Sequence, residues 1–220
     1  MLTLLIVAIL TASSSEMTKP AAFLPVSTRQ QLEEKAALGT VCPDEVLWLT
    51  LDALANNFGL GELSKLEKIL DGSPYAEGND ELTYACRKAL TVQRGNRSGI
   101  IVFELLWLNL GGRELDAIVN KHSDDWRYRL LRGCAYYWTP GQYGKRKTAY
   151  QDMKFASQQY GEKYGWDEAL TLMWLWQGNL ARRDGRLDEA RQAWQYLVAQ
   201  GSSGPYSEQA GLMLAETQSR

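Results

Sequence analysis

An all-α fold of antiparallel helical hairpins is what the sequence predicts, on three observations. Gly and Pro punctuation recurs from Pro43 onward. Between these stops, apolar residues follow a 3.6-residue stripe, as at Leu47, Trp48, Leu51, Leu54, Ala55 and Phe58. No segment shows sustained period-two alternation bounded by hairpin turns. Short connections between the helices make neighbours antiparallel.

The N-terminal run from Met1 to Leu10 is apolar and is followed by Thr-Ala-Ser-Ser-Ser. It is too short to span a bilayer but suits the central region of a secretory signal, with Ala12 and Ser14 as small residues before a cleavage point. No Lys or Arg precedes it. The expectation is a signal peptide or short hydrophobic anchor over 1–14, hence export to the periplasm or cell envelope. Peripheral membrane association through this segment is also expected. The chain is cytoplasmic if the run is not a signal.

Residues 15–40 read as a linker followed by a short polar helix ending at Gly39. Residues 41–220 read as a single helical domain. Pro43-Asp44-Glu45 opens its first helix, with Pro at an allowed first-turn position and acids at the positive end of the dipole. Asn56-Asn57 and Gly59 close that helix. The next, over 61–70, stops at Asp71-Gly-Ser-Pro74. Further helices are expected over 79–93, over 98–110 with a stop at Gly111-Gly112, and over 113–121. Another begins at Asp124 and stops at Thr139-Pro140-Gly141, and four more fall at 145–160, 166–184, 187–199 and 205–217.

Composition bounds the function. Of 220 residues, 45% are hydrophobic and 23% charged, which is the balance of a folded soluble chain. The net charge of −2 and pI near 5.6 provide no global field to gather nucleic acid. Eight Trp and eleven Tyr against four Phe supply amphipathic rings, suited to spacing helices or to meeting a partner. Cys42, Cys86 and Cys134 are widely spaced, with no Cys-x-x-Cys pair. They are compatible with burial as small apolar residues or, in an oxidising compartment, with one disulfide and one free thiol.

The C-terminal third carries a repeat signal in Trp174, Gly178, Ala181, Gly185, Ala190, Trp194 and Leu197. In physical terms, Gly178 and Ala190 let two helices approach while Trp174 and Trp194 fill the adjoining space. An earlier unit has Leu130, Gly133 and Tyr136, then Ala149, Met153 and Ala156. A weaker one has Trp48, Leu51, Ala55 and Gly59. These offsets resemble the tetratricopeptide-repeat (TPR) pattern, best over 125–217. Gly133 and Gly178 lie 45 positions apart rather than the 34 of a regular repeat, so the units are degenerate. The resemblance implies a short, degenerate TPR-like solenoid that binds extended or helical segments along a concave face.

On this chain that face implies partner-binding roles for Arg129, Arg132, Tyr136, Tyr137, Asn179, Arg182 and Arg183, with Trp126 beside them. Arg and Tyr are enriched at binding hot spots. Gly178-Asn179 matches a Gly-Asn pair that some TPR modules use to hold a peptide carboxylate. Leu175 stands where the companion Lys belongs and Cys134 at the Asn position of the preceding unit, which argues against chaperone-tail recognition. The alternative role for Asn179 is a bond to a neighbouring helix.

Catalytic groups are sparse. His122 is the only histidine; its Lys-His-Ser-Asp-Asp setting reads as a helix boundary, because triad members must meet in space. One His and three scattered Cys do not make a zinc ligand set. Gly141-Gln-Tyr-Gly144-Lys145 has two residues between its glycines where a phosphate-binding loop needs four, and no strand before it. Lys145-Arg146-Lys147 reads as a solvated basic knob. The resulting expectation is a non-catalytic adaptor or scaffold that binds a protein or peptide segment, with no metal and no cofactor. The alternative is a helical small-ligand-binding component of an envelope transport system, with the Trp and Tyr rings lining a pocket.

Overall fold

The computed structural model describes residues 24, 26–71, 80–201 and 204–218. The apolar N-terminal run, most of the linker and the Gly-Ser-Pro stop at 72–74 lie outside the described residues. Among the described residues the chain is helical throughout and has no strand. In chain order come α1 (Val26–Ala37), α2 (Pro43–Ala55), α3 (Leu60–Asp71), α4 (Glu81–Ser98) and α5 (Ile101–Lys121). They are followed by α6 (Trp126–Tyr137), a 3₁₀ turn (Gly141–Tyr143), α7 (Arg146–Tyr164), α8 (Glu168–Arg183), α9 (Leu187–Ala199) and α10 (Pro205–Gln218).

Local chemistry starts these helices where the punctuation indicates. Pro43 leads α2, and the Cys42 N–H donates to Glu45 Oε2 at 2.9 Å, using a donor that a helix start leaves open. Asp80, Asp125 and Asp167 cap α4, α6 and α8. Their carboxylates accept the backbone N–H of Thr83 (2.6 Å), Arg127 (2.9 Å) and Leu170 (2.8 Å).

Successive helices pack on one another: α4 on α5, α6 on α7, α8 on α9, with α7 joining α8 and α10 closing on α8 and α9. In the N-terminal half, α4 also packs against α2, α3 and α6. The α2 helix is largely enclosed, burying Val46, Leu47, Leu51, Ala53 and Leu54. Each large apolar side chain so buried contributes about 1.5–3 kcal/mol. Trp138, just past α6, donates its Nε1–H to the Leu54 carbonyl at 2.8 Å and fixes α2 against that end.

The expected stop at Gly111-Gly112 is corrected. The α5 helix runs unbroken through both glycines, and α4 continues through Gly95 to Ser98. A Cβ on Gly111 would lie 2.9 Å from the Lys88 carbonyl and 2.9 Å from Thr91 Cβ; one on Gly95 would lie 2.9 Å from Trp107 Cβ. These glycines permit close approach of α4 and α5. Gly178 plays the same part between α8 and α9, since a Cβ there would fall inside the fully buried indole of Trp194. Trp174 instead packs on Tyr196, with ring centroids 4.4 Å apart.

Candidate functional site

The seven side chains implied for a groove all hold other parts of the same chain. Arg132 makes a paired contact with Asp152, Nε to Oδ2 at 2.6 Å and Nη2 to Oδ1 at 2.9 Å, and reaches Asp116 at 3.2 Å. Arg129 joins Asp152 at 2.9 Å and donates to the Ser123 carbonyl. The Tyr136 hydroxyl donates to the Gly112 carbonyl at 3.1 Å. Tyr137 stacks on Trp176 at 4.3 Å, and Asn179 Nδ2 donates to its hydroxyl at 3.2 Å. Arg183 lies over the Tyr137 ring and donates to its carbonyl, whereas Arg182 reaches Met213 and Glu216 of α10. Arg132, Tyr136 and Tyr137 are buried, so the expected groove is not open at those three positions. The bond expected as the alternative for Asn179 is present.

His122 pairs through Nε2 with Glu81, and its ring stacks on Tyr128 at 4.4 Å. The basic knob is smaller than expected: Lys145 bonds Asp116 at 2.8 Å and Arg146 the Arg183 carbonyl, leaving Lys147 exposed. All three cysteines are free thiols, with Cys86 and Cys134 buried. Burial pushes the Cys86 thiol up to about 12, so it is protonated and unreactive at neutral pH. Among the described residues, no group of three or more His, Cys, Asp or Glu is placed to hold a metal ion.

Two surfaces stand out among the described residues. The first is the outer face of α5. Ile101, Val102, Phe103, Leu105, Leu106 and Leu110 are 42–71% exposed, and Ile100 before them is 52% exposed. Val102, Leu106, Asn109 and Arg113 fall on one line of a 3.6-residue helix, so this face is apolar over its first turns and becomes polar at Asn109 and Arg113. The exposed apolar area is on the order of 600 Å², at the upper limit for the largest patch of a typical monomer. Arg97 at the end of α4 and Arg113 are both exposed, and neither forms an ion pair with another described residue.

The second is a cleft of about 700 Å³ where the starts of α2 and α6 meet the end of α7. Trp48, Trp126 and Tyr164 line it, with Tyr160 behind them. Trp48 and Trp126 lie 6.4 Å apart, and Tyr164 stands at 79° to Trp126 with centroids 5.9 Å apart. Asp44, Asp124, Asp125 and Glu162 lie around the rings, with Arg127 and Lys163 as the cations. Arg127 is held by Asp125 at 2.7 Å and by Asp44 at 2.9 Å.

No family model, no curated protein and no solved structure matches the chain.

The site chemistry therefore rests on this chain's own residues. Burial pushes the Asp125 carboxyl up, but hydrogen bonds from the Arg127 side chain and backbone, with its charge, hold it below the usual value. Of the two surfaces, the α5 face is apolar and exposed, and the cleft is lined by aromatic rings and charged side chains. Sequence reading placed neither. The signal for the first was Ile100 to Leu110, where Glu104 is the only charge. An ordinary surface helix keeps a polar outer face. The signal for the second was split among Trp48, Trp126 and Tyr164, far apart in the chain.

Proposed function

We propose that the chain is a non-catalytic interaction module of TPR-like helical hairpins that docks an amphipathic helix of a partner protein on the outer face of α5. The observation carrying this reading is the contiguous apolar face at Val102, Leu105, Leu106 and Leu110. Its area approaches the roughly 800 Å² that one side of a standard interface buries. A stripe at helical spacing accepts another helix through ridges and grooves. Arg97 and Arg113, at the two ends of the stripe, favour a partner helix with acidic residues flanking its apolar side. A second copy is a poorer occupant. Two copies would bring Arg97 and Arg113 of each to one interface, and these like charges disfavour self-association.

The TPR-like reading draws support from the order of packing, in which consecutive hairpins lie against one another, and from the Gly178–Trp194 fit. Export to the envelope remains our proposal from Met1–Leu10, and N-terminal sequencing of the mature protein tests it. No helix among the described residues is long and apolar enough to cross a membrane.

A photo-crosslinking amino acid at Val102, compared with one at the equally open Leu212 of α10, tests the docking face in the native cell. A distinct protein captured from 102 and absent from 212, whose purified form loses affinity for Leu106→Glu, supports the proposal. An adduct of the chain with itself, or the same products from both positions, overturns it.

A further inference from the structure

The first half of α5 is apolar and exposed around more of its circumference than one docked helix can cover. Successive residues of an α-helix turn by about 100°. With Ile101 as the origin, Leu105 lies about 40° round the axis, Val102 about 100°, Leu106 about 140°, Leu110 about 180° and Phe103 about 200°. All six are 42–71% exposed. The fold covers the remaining arc. There Gly111 lies against Lys88 and Thr91 of α4, Leu115 is fully buried, and Glu104 accepts the Tyr143 hydroxyl at 3.0 Å.

A helix that faces a single neighbouring layer needs an apolar stripe of roughly 100°. Here there are two flanks. Ile101 and Leu105 form one, and Leu106, Leu110 and Phe103 the other, about 150° away. Val102 and Asn109 lie on the ridge between them. Packed helix axes stand roughly 8–10 Å apart, so a straight helix seated on one flank leaves the other in water.

Apolar surface on nearly all sides suits a helix enclosed in a protein core or in lipid. Residues 101–110 rise about 15 Å, half of a bilayer core of about 30 Å. The cations also fit lipid poorly. On α4 and α5, Arg87, Lys88, Arg94 and Lys121 are engaged by Asp71, Glu114, Glu67 and Glu81. That leaves Arg97 and Arg113, fewer than the roughly four to eight cations that hold a helix at an anionic lipid surface.

We propose, resting on the docking reading of α5, that its partner presents a helical hairpin rather than a lone helix. Two antiparallel helices straddle α5, one on the flank of Ile101 and Leu105, the other on the flank of Leu106, Leu110 and Phe103. With α4 behind it, the first half of α5 becomes the central helix of a mixed bundle. Apolar sides of the hairpin line its groove, and acidic residues at the groove's ends meet Arg97 and Arg113.

Photo-crosslinking amino acids at Leu105 and at Phe103, placed one at a time in the full chain, test the arrangement in the native cell. The crosslinked peptides of the captured protein are mapped by mass spectrometry. The expected result is one partner joined through two different segments, each apolar on one side. With that partner purified, Leu105→Glu and Leu110→Glu each lower affinity about tenfold or more, and the melting temperature stays unchanged. The same partner segment from both positions, or a loss of affinity from one flank alone, overturns the hairpin and leaves a single docked helix standing. No distinct protein from either position overturns both readings. So does flotation of the chain with phosphatidylserine–phosphatidylcholine vesicles that Leu110→Glu abolishes, since a bilayer is then the occupant.

Discussion

Asp152 is fully buried and is held by Arg129 and Arg132, and Arg132 is itself nearly enclosed. Removing one member of such a group strands the other charge away from water. Asp152→Ala is therefore expected to destabilise the fold by about 3–5 kcal/mol, read from urea unfolding. Asp125 behaves differently because it is near the surface and its carboxyl is held below the usual value. With a native value below the unfolded one, its contribution to stability is complete above the ordinary carboxylate range and is lost as pH falls through the native value. Asp125→Asn should lower stability at neutral pH, with the gap to the natural chain narrowing in acid; melting curves across pH 2–7 check this. The groove residues illustrate what composition conceals. Arg132 has the chemistry of a hot spot, but Asp152 lies twenty positions downstream, and only folding shows that the two belong to each other.

At the level of elements, the start at Pro43 was legible because a cap is local. The α6 helix is capped by Asp125 and not by the expected Asp124, and the caps Asp80 and Asp167 were not singled out although each acts within three residues. Helix ends marked by glycine were less so. A glycine signals a stop when it adopts positive φ, as Gly99 does at 65°, and close approach when it lies inside a helix, as Gly111 does. The two are identical in one dimension. The α4–α5 crossing makes the difference measurable. Gly111→Ala sets a methyl against the Lys88 carbonyl and Thr91, and is expected to cost about 1–3 kcal/mol. Gly211 of α10 has nothing within 4 Å of an added Cβ, so Gly211→Ala is expected to stabilise by about 0.5–1 kcal/mol. Thermal melts of the two variants side by side separate packing glycines from permissive ones. The Gly178–Trp194 fit was legible as a repeat signature, because its members fall within a single hairpin.

At the scale of the whole molecule, the described residues combine a braced interior with an exposed apolar face on α5 and an open cleft. Its helical class followed from periodicity and punctuation. The open apolar face of α5 did not, because sequence alone cannot tell which side of an apolar helix the rest of the chain will cover. In α5 the covered side runs through Gly111, Gly112, Leu115 and Val119, and the open side through Val102 and Leu106. If that open side docks a partner helix, a charge in its centre must act on binding and not on folding, since it touches little of the protein itself. The decisive measurement is the affinity of the purified partner captured from position 102 for Leu106→Glu and for the control Leu212→Glu. The account predicts a loss of about thirtyfold or more for Leu106→Glu, with the melting temperature and the affinity of Leu212→Glu unchanged. Unaltered affinity for Leu106→Glu, or equal losses in both variants, would contradict it.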